Sequence, residues 1–247
     1  MLLQPQVIFI DAVGTLFGVQ GSVGEIYSQF AAQAGVEVDA QQLNRAFIKS
    51  FLAAPRAAFA GVAIAEIPQQ ELAWWRAIAA ASFSQVDALE QFGDFDAFFQ
   101  PLFEHFATAD PWFVYADVPK ILAEWQAAGI AIGVLSNFDS RLHKVLQALD
   151  LAQFFSSVTI STAVGFAKPE PGIFAAALAE HDCPPQAAWH IGDSWHEDVG
   201  GAIAARVQPI WLNRHSQPLP ENAAAVTIIH SFAELPKLKP SALKQLF

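Results

Sequence analysis

The apolar positions of this chain change rhythm along its length. Val7-Ile8-Phe9-Ile10 form an unbroken apolar run that ends abruptly at Asp11, as in a parallel strand buried on both faces. From Phe17 to Pro111 no convincing strand alternation follows. Apolar residues recur there at three- and four-residue steps, as at Phe95, Phe99, Phe103 and Phe106, and predict amphipathic helices over residues 23–34, 40–52, 68–83 and 86–106. From about Trp112 short apolar runs alternate with helical stretches. Strands are predicted over residues 130–135, 157–160, 188–191, 209–212 and 226–229, and helices over 118–128, 141–149, 171–180, 197–205 and from Ala233 onward.

Strands alternating with helices imply crossover connections and an α/β, doubly wound parallel sheet. The first strand has no partner of its own, so it must join that sheet. Residues 1–17 with 112–247 then form the core domain, and residues 18–111 an inserted helical domain over the carboxyl edge of the sheet, where such folds bind ligands.

Composition narrows the class. With 53% hydrophobic and 15% charged residues the chain is expected to be globular, and its 247 residues are ample for a buried core. No apolar run is long enough for a membrane span, and residues 1–6 lack the basic start of a signal peptide. One cysteine, Cys183, rules out an internal disulfide and fits a reducing cytoplasm. A formal net charge of -11 with scattered basic residues argues against a nucleic-acid partner.

Four short segments at predicted strand ends carry chemistry. They are Asp11-Ala12-Val13-Gly14-Thr15, Ser136-Asn137, Lys168-Pro169, and Gly192-Asp193-Ser194 with Asp198 five residues past Asp193. Three carboxylates converging at one edge repel unless a hard cation neutralises them, and oxygen donors suit Mg²⁺. A hydroxyl, an amide and an ammonium around the same point would hold a phosphoryl oxyanion. An Asp facing that group can attack it and form an aspartyl-phosphate.

In order and type these segments resemble the haloacid dehalogenase superfamily across essentially the whole chain. The resemblance implies a Rossmann-like core with a helical cap inserted after the first segment. It makes Asp11 the nucleophile. Ser136 and Lys168 would bind the phosphoryl group, with Asn137 and Thr15 beside them. Asp11, Asp193 and the backbone carbonyl of Val13 would surround Mg²⁺, and Asp198 would hold a metal-bound water. Residues 17–27 further resemble a plant and cyanobacterial branch. The implied activity is Mg²⁺-dependent hydrolysis of a small phosphorylated metabolite by a monomer or homodimer, with no nucleic acid or membrane involved.

Val13 departs from the family pattern, which usually has a second Asp there to protonate the leaving oxygen and later activate water. Such acid–base help contributes about 10²–10⁴-fold. Four readings stay open: a phosphatase that is weak or takes leaving groups needing little protonation; a metal-independent 2-haloacid dehalogenase; a carbon–phosphorus hydrolase using Lys49; and a phosphate-ligand binder without turnover. Asp193 and Asp198 favour the phosphatase, because a carboxylate pair kept without a cation is repulsive.

Other residues have plainer readings. Asp139 is read first as the cap of the helix starting near Ser140 and second as a replacement proton donor, His196 is a surface or capping histidine, and Cys183 is buried filler. The aromatic residues of the insertion read as packing, and Arg45, Lys49, Arg56 and Arg76 as cations mostly on solvated faces.

Overall fold

The computed structural model describes residues 4–220 and 226–235. Its centre is a six-stranded parallel sheet of order β5-β4-β1-β6-β7-β8. The strands are β1 Val7–Ile10, β4 Ala131–Ser136, β5 Ser157–Ile160, β6 Ala188–Gly192, β7 Gln208–Leu212 and β8 Thr227–Ile229. β1 lies between β4 and β6, with Ile10 level with Val134 on one side and Ile191 on the other. Strand order reverses at β1, so the crevice beyond its carboxyl end is the place where a doubly wound sheet receives a ligand.

Alternate residues of β1 serve opposite faces, as the strand period requires. Ile8 and Ile10 pack with Val118, Leu122 and Trp125 of α5 (Val118–Ala127) and Val145 of α6 (Leu142–Ala148). Val7 and Phe9 pack with Ile173, Phe174 and Ala177 of α8 (Pro171–Glu180). Two further elements complete this part: a single turn, α7 (Ser161–Val164), and a π-type segment Trp195–Gly200 that runs into α9 (Gly201–Ala204). The helix expected from Ala233 appears as one 3₁₀ turn, Phe232–Glu234, and its remainder lies outside the described residues.

The chain leaves and re-enters the sheet region through a two-stranded antiparallel ribbon, β2 Phe17–Val19 with β3 Trp112–Val114. Three-residue strands are too short to show alternation, so neither was expected from the pattern. Between them lie α1 Val23–Gln33, α2 Ala40–Ala53, α3 Ile67–Ser84 and α4 Phe95–His105, packed on their own core of Tyr27, Leu43, Phe83, Phe98 and Leu102. Side-chain caps set three starts: Ser22 with Glu25 in a capping box, Asp39, and Asp94. α4 begins nine residues later than the expected position 86. Asp87 takes a left-handed φ of 54° and the chain makes a 3₁₀ turn over Leu89–Gln91 before Asp94 caps the helix. No helix among the described residues is long and apolar enough to cross a membrane.

α3 carries the link between these helices and the carboxyl edge of the sheet. Glu71, 2% exposed, accepts from Ser140 N at 2.9 Å and Thr162 Oγ1 at 2.6 Å, and it also bonds the Ser140 hydroxyl. One turn on, Trp75 Nε1 donates to Asp139 Oδ2 at 2.6 Å.

Candidate active site

Asp11 continues the β1 ladder, its N–H donating to Ile191 O at 2.9 Å, and the chain then turns sharply as Leu16 N reaches back to Ala12 O at 2.8 Å. Gly14 makes that turn possible. Its φ is +85°, and a Cβ there would stand 2.5 Å from the Asp193 carboxylate. Gly192 has a similar task at the end of β6, since a Cβ there would collide with the Asp198 carboxylate.

These turns bring Asp11, Asp193 and Asp198 together, with one carboxylate oxygen from each within 4.8 Å of the others. Lys168 arrives from the loop before α8 and is 1% exposed. Its ammonium donates to Asp11 Oδ1 at 2.6 Å, Asp198 Oδ1 at 2.6 Å and Leu135 O at 3.1 Å, which uses all three hydrogens. Burial would discharge Lys168, but Asp11 and Asp198 hold its pKa above the ordinary lysine value. Asp198 is likewise kept low against burial by Lys168 and by His190, whose Nε2 lies at 2.8 Å, and Ser194 N donates to its other oxygen at 2.9 Å.

The remaining two carboxylates behave differently. Burial pushes Asp11 up, opposed by Lys168 and by the neighbouring Ser136 hydroxyl. Asp193 is partly exposed and is pushed up to about 7, first by burial and then by Asp11 and Asp198. One lysine is too little positive charge for three convergent carboxylates. An all-oxygen donor set with that imbalance fits a hard divalent cation.

The other expected residues take distinct places. The Asn137 side chain clasps the Lys168 peptide, accepting from Lys168 N at 2.7 Å and donating to Lys168 O at 3.0 Å and to Glu197 Oε2 at 3.1 Å. Its amide therefore positions the lysine. Thr15 is fully buried, its hydroxyl 3.5 Å from Asp193 Oδ1, while its carbonyl accepts from Arg214 at 3.1 Å. Val13 packs against the core and forms part of a cavity wall. Asp139 has no freedom to replace the missing acid: it is buried, paired with Arg141 at 2.6 Å and bonded by Trp75. His196 is exposed, and Cys183 is buried with its thiol against Pro184 O.

The sequence reading gave no role to His190, Glu197, Arg141 or Tyr27. His190 left a signal, since a lone histidine within the apolar strand Ala188–Gly192 needs a polar partner. Arg141 and Tyr27 meet only through the tertiary fold, in a cavity of about 300 Å³ between the sheet edge and the inserted helices. Trp75, Phe103, Phe106 and Trp112 also line it, so aromatic side chains read as packing also face open space.

Comparison with known proteins agrees with this architecture. Residues 5–206 match the model of the haloacid dehalogenase-like hydrolase family. Haloacid dehalogenase-like hydrolase domain-containing protein 3 of Danio rerio is 29% identical over 232 residues, which is 92% of this chain and 93% of that protein. A phosphoserine phosphatase of Thermus thermophilus is 36% identical over 107 residues, 42% of this chain and 43% of its own length. A crystal structure of a dehalogenase with an intermediate complex superposes with a TM-score of 0.71 at 17% identity, covering 98% of this chain and all of that one, a likeness of fold.

Proposed function

This chain belongs to the haloacid dehalogenase-like hydrolase family, and from that premise we propose that it is a Mg²⁺-dependent phosphohydrolase acting on a small phosphorylated metabolite. The observation that carries the proposal is the position of Lys168, bonded at once to Asp11 and Asp198 with Asp193 alongside. Asp11, Asp193 and Asp198, with the Val13 carbonyl, are the residues that would hold Mg²⁺, which acts as a Lewis acid on the phosphoryl oxygens.

Lys168 engages Asp11 Oδ1 and orients the carboxylate, leaving Oδ2 as the nucleophile. Attack on phosphorus forms the aspartyl-phosphate and breaks the bond to the leaving oxygen, which departs with the electron pair. Water then attacks phosphorus, releasing inorganic phosphate and restoring the Asp11 carboxylate. Ser136, beside Asp11, is the donor that would meet the phosphoryl oxygens, and the Lys168 ammonium, whose hydrogens are held by Asp11, Asp198 and Leu135 O, would contribute its positive charge.

Hydrolysis of a broad phosphate panel, with Mg²⁺ and in chelator, tests this. We expect Mg²⁺-dependent release of phosphate that Asp11→Asn abolishes, along with capture of beryllofluoride. The locked Asp139 and the apolar Val13 favour a second reading, a phosphate-ligand binder without turnover. Binding of phosphate esters with no hydrolysis of any panel member would decide for it. Turnover of a 2-haloacid in chelator would overturn both.

A further inference from the structure

We propose that the leaving group of this site is aromatic: the substrate is an aryl phosphate whose ring occupies the cavity beside Val13 and departs as a phenolate. The proposal rests on the phosphohydrolase reading and narrows its substrate class.

Two independent observations converge on it. The first is the chemistry of the cavity. Its wall is made by Val13, Phe47, Trp75, Phe103, Phe106 and their neighbours, and its few polar groups are already engaged. Asn137 is held by the Lys168 peptide, while Asp139 and Arg141 satisfy one another, with Arg141 also bonded to Phe103 O at 2.9 Å and lying 3.8 Å over the Phe103 ring. A sugar, nucleoside or amino-acid group placed here would lose its hydration with few partners in return. The exception is the Tyr27 hydroxyl. Tyr27 is 3% exposed, lines the cavity, and has no hydrogen bond to another described residue. It supplies a single donor for a polar atom on an otherwise apolar body. The size also fits: about 150 Å³ of apolar cavity accommodates benzene, so about 300 Å³ holds one or two fused rings.

The second observation is the absence of an acid. Val13, at the position where the family resemblance implies a proton donor, puts an apolar side chain on the cavity wall, and the carboxylate of Asp139 on the same wall is tied to Arg141 and Trp75. With neither residue able to give a proton, the site favours a leaving oxygen that can depart as an anion. A phenol of pKa about 10 does so far more readily than an alkanol, whose acidity is close to that of water at about 15.7. In the balanced step, the Asp11 carboxylate forms the new P–O bond and the aryl P–O bond breaks. The phenolate carries the electron pair away and takes a proton from solvent. Apolar walls alone are satisfied by an aliphatic body and a missing acid alone by any good leaving group; an aryl ester satisfies both.

The test compares phenyl, 2-naphthyl, cyclohexyl and glycerol phosphates in steady-state hydrolysis by the Mg²⁺-loaded protein. It adds binding of phenylphosphonate, whose carbon–phosphorus bond is not cleaved in this chemistry. Trp74, Trp75 and Trp112 in the wall report that binding by fluorescence. We expect kcat/KM for the two aryl esters to exceed that for cyclohexyl phosphate by at least ~10²-fold, the lower bound of the help a general acid supplies. Glycerol phosphate is expected to be poorer still. Ala57→Trp, which fills the cavity from a half-exposed position, should lower kcat/KM for 2-naphthyl phosphate far more than for acetyl phosphate and weaken phenylphosphonate binding.

Equal kcat/KM for phenyl and cyclohexyl phosphates, or a preference for glycerol phosphate, overturns the aryl assignment and leaves the phosphohydrolase intact. If no ester is hydrolysed, the phosphohydrolase reading fails separately. The departure of a phenolate falls with it; the placement of an aryl ring in the cavity is also overturned if phenylphosphonate does not bind or if Ala57→Trp leaves its binding unchanged, and is upheld if Ala57→Trp weakens that binding at least tenfold.

Discussion

The charged cluster at the sheet edge and the aromatic cavity beside it, joined through Val13 and Asn137, are built on opposite principles. On the sheet edge, Asp11, Lys168, Asp198 and His190 form a chain of contacts no longer than 2.8 Å, buried and interdependent. Beside it, the helical wall is aromatic, and its rings meet at a range of angles, as Trp75 does with Phe51 and with Trp74. The first arrangement has one solution, because a buried charge without its partner is costly. The second is adaptable, because any apolar body of suitable size can replace water in it. The rigid side suits the step that does not vary, attack on phosphorus, and the adaptable side suits the part of a substrate that does.

The largest effect expected from breaking this contrast is at Lys168. Lys168→Met leaves Asp11 and Asp198 facing each other without their shared cation, and removal of one partner from a buried ionic cluster costs about 3–5 kcal/mol. Urea unfolding checks it. A loss below ~1 kcal/mol would mean the carboxylates are already solvated or neutral, and the rigid side less rigid than its distances imply. Wall changes such as Phe47→Leu, at a half-buried ring, should fall well short of this.

Val13→Asp acts on the boundary between the two sides. It restores an acid at the leaving oxygen and should raise hydrolysis of cyclohexyl phosphate by about 10²-fold or more, with a smaller gain for phenyl phosphate. Equal gains on both esters would show that Val13 does not control the proton. A loss on both would mean that the wall needs valine for packing more than the chemistry lacks an acid.

The same contrast explains how much could be read from the chain. Asp11, Ser136 and Asp193 each interrupt or end an apolar strand, so sequence alone pointed to one sheet edge, and the parallel order β4-β1-β6 brings them there. Local pattern is enough when a site is built from strand ends. The cavity has no such signature. Arg141 begins a core helix, yet its guanidinium lies over Phe103, 38 residues earlier in the chain. The insertion's own cations, Arg45, Lys49, Arg56 and Arg76, are all exposed, and Arg76 pairs with Asp96 on the surface. Lys49, the lysine on which the carbon–phosphorus reading depends, is exposed and is not among the residues that line the cavity. Asn137 was legible as a site residue, but its job of clasping the Lys168 peptide needs the loop after β5 to be in place. The late start of α4 depended on the left-handed turn at Asp87, which the apolar period does not encode.

A smaller effect is expected at the joint between the two sides. Glu71→Ala removes the acceptor for Ser140 N and Thr162 Oγ1, and a buried donor left without a partner costs about 1–3 kcal/mol. Because Ser140 closely follows Ser136 and Asn137, loosening it should raise KM for aryl phosphates along with the loss of stability. Thermal unfolding and initial rates measure the two together. A stability loss with KM unchanged would confine Glu71 to packing and detach the wall from the site it faces.

The last effect is the pH response of Asp193, moderated by its partial exposure to solvent. Its pKa rises from the ordinary value of about 3.9 to about 7 on folding, because burial and the Asp11 and Asp198 carboxylates disfavour its charge. Between those values the unfolded chain has already released this proton and the folded one still holds it. The unfolded state then binds fewer protons, so this group's contribution lowers stability as pH rises from about 4 to about 7. A divalent cation held by the three carboxylates replaces the proton and removes the decline. Melting temperatures across that range in chelator should therefore fall more steeply with pH than those in Mg²⁺, and Asp193→Asn should flatten the chelator curve. Parallel curves with and without Mg²⁺ would mean that Asp193 does not face the cation, leaving Asp11 and Asp198 to hold it on the buried side of the site.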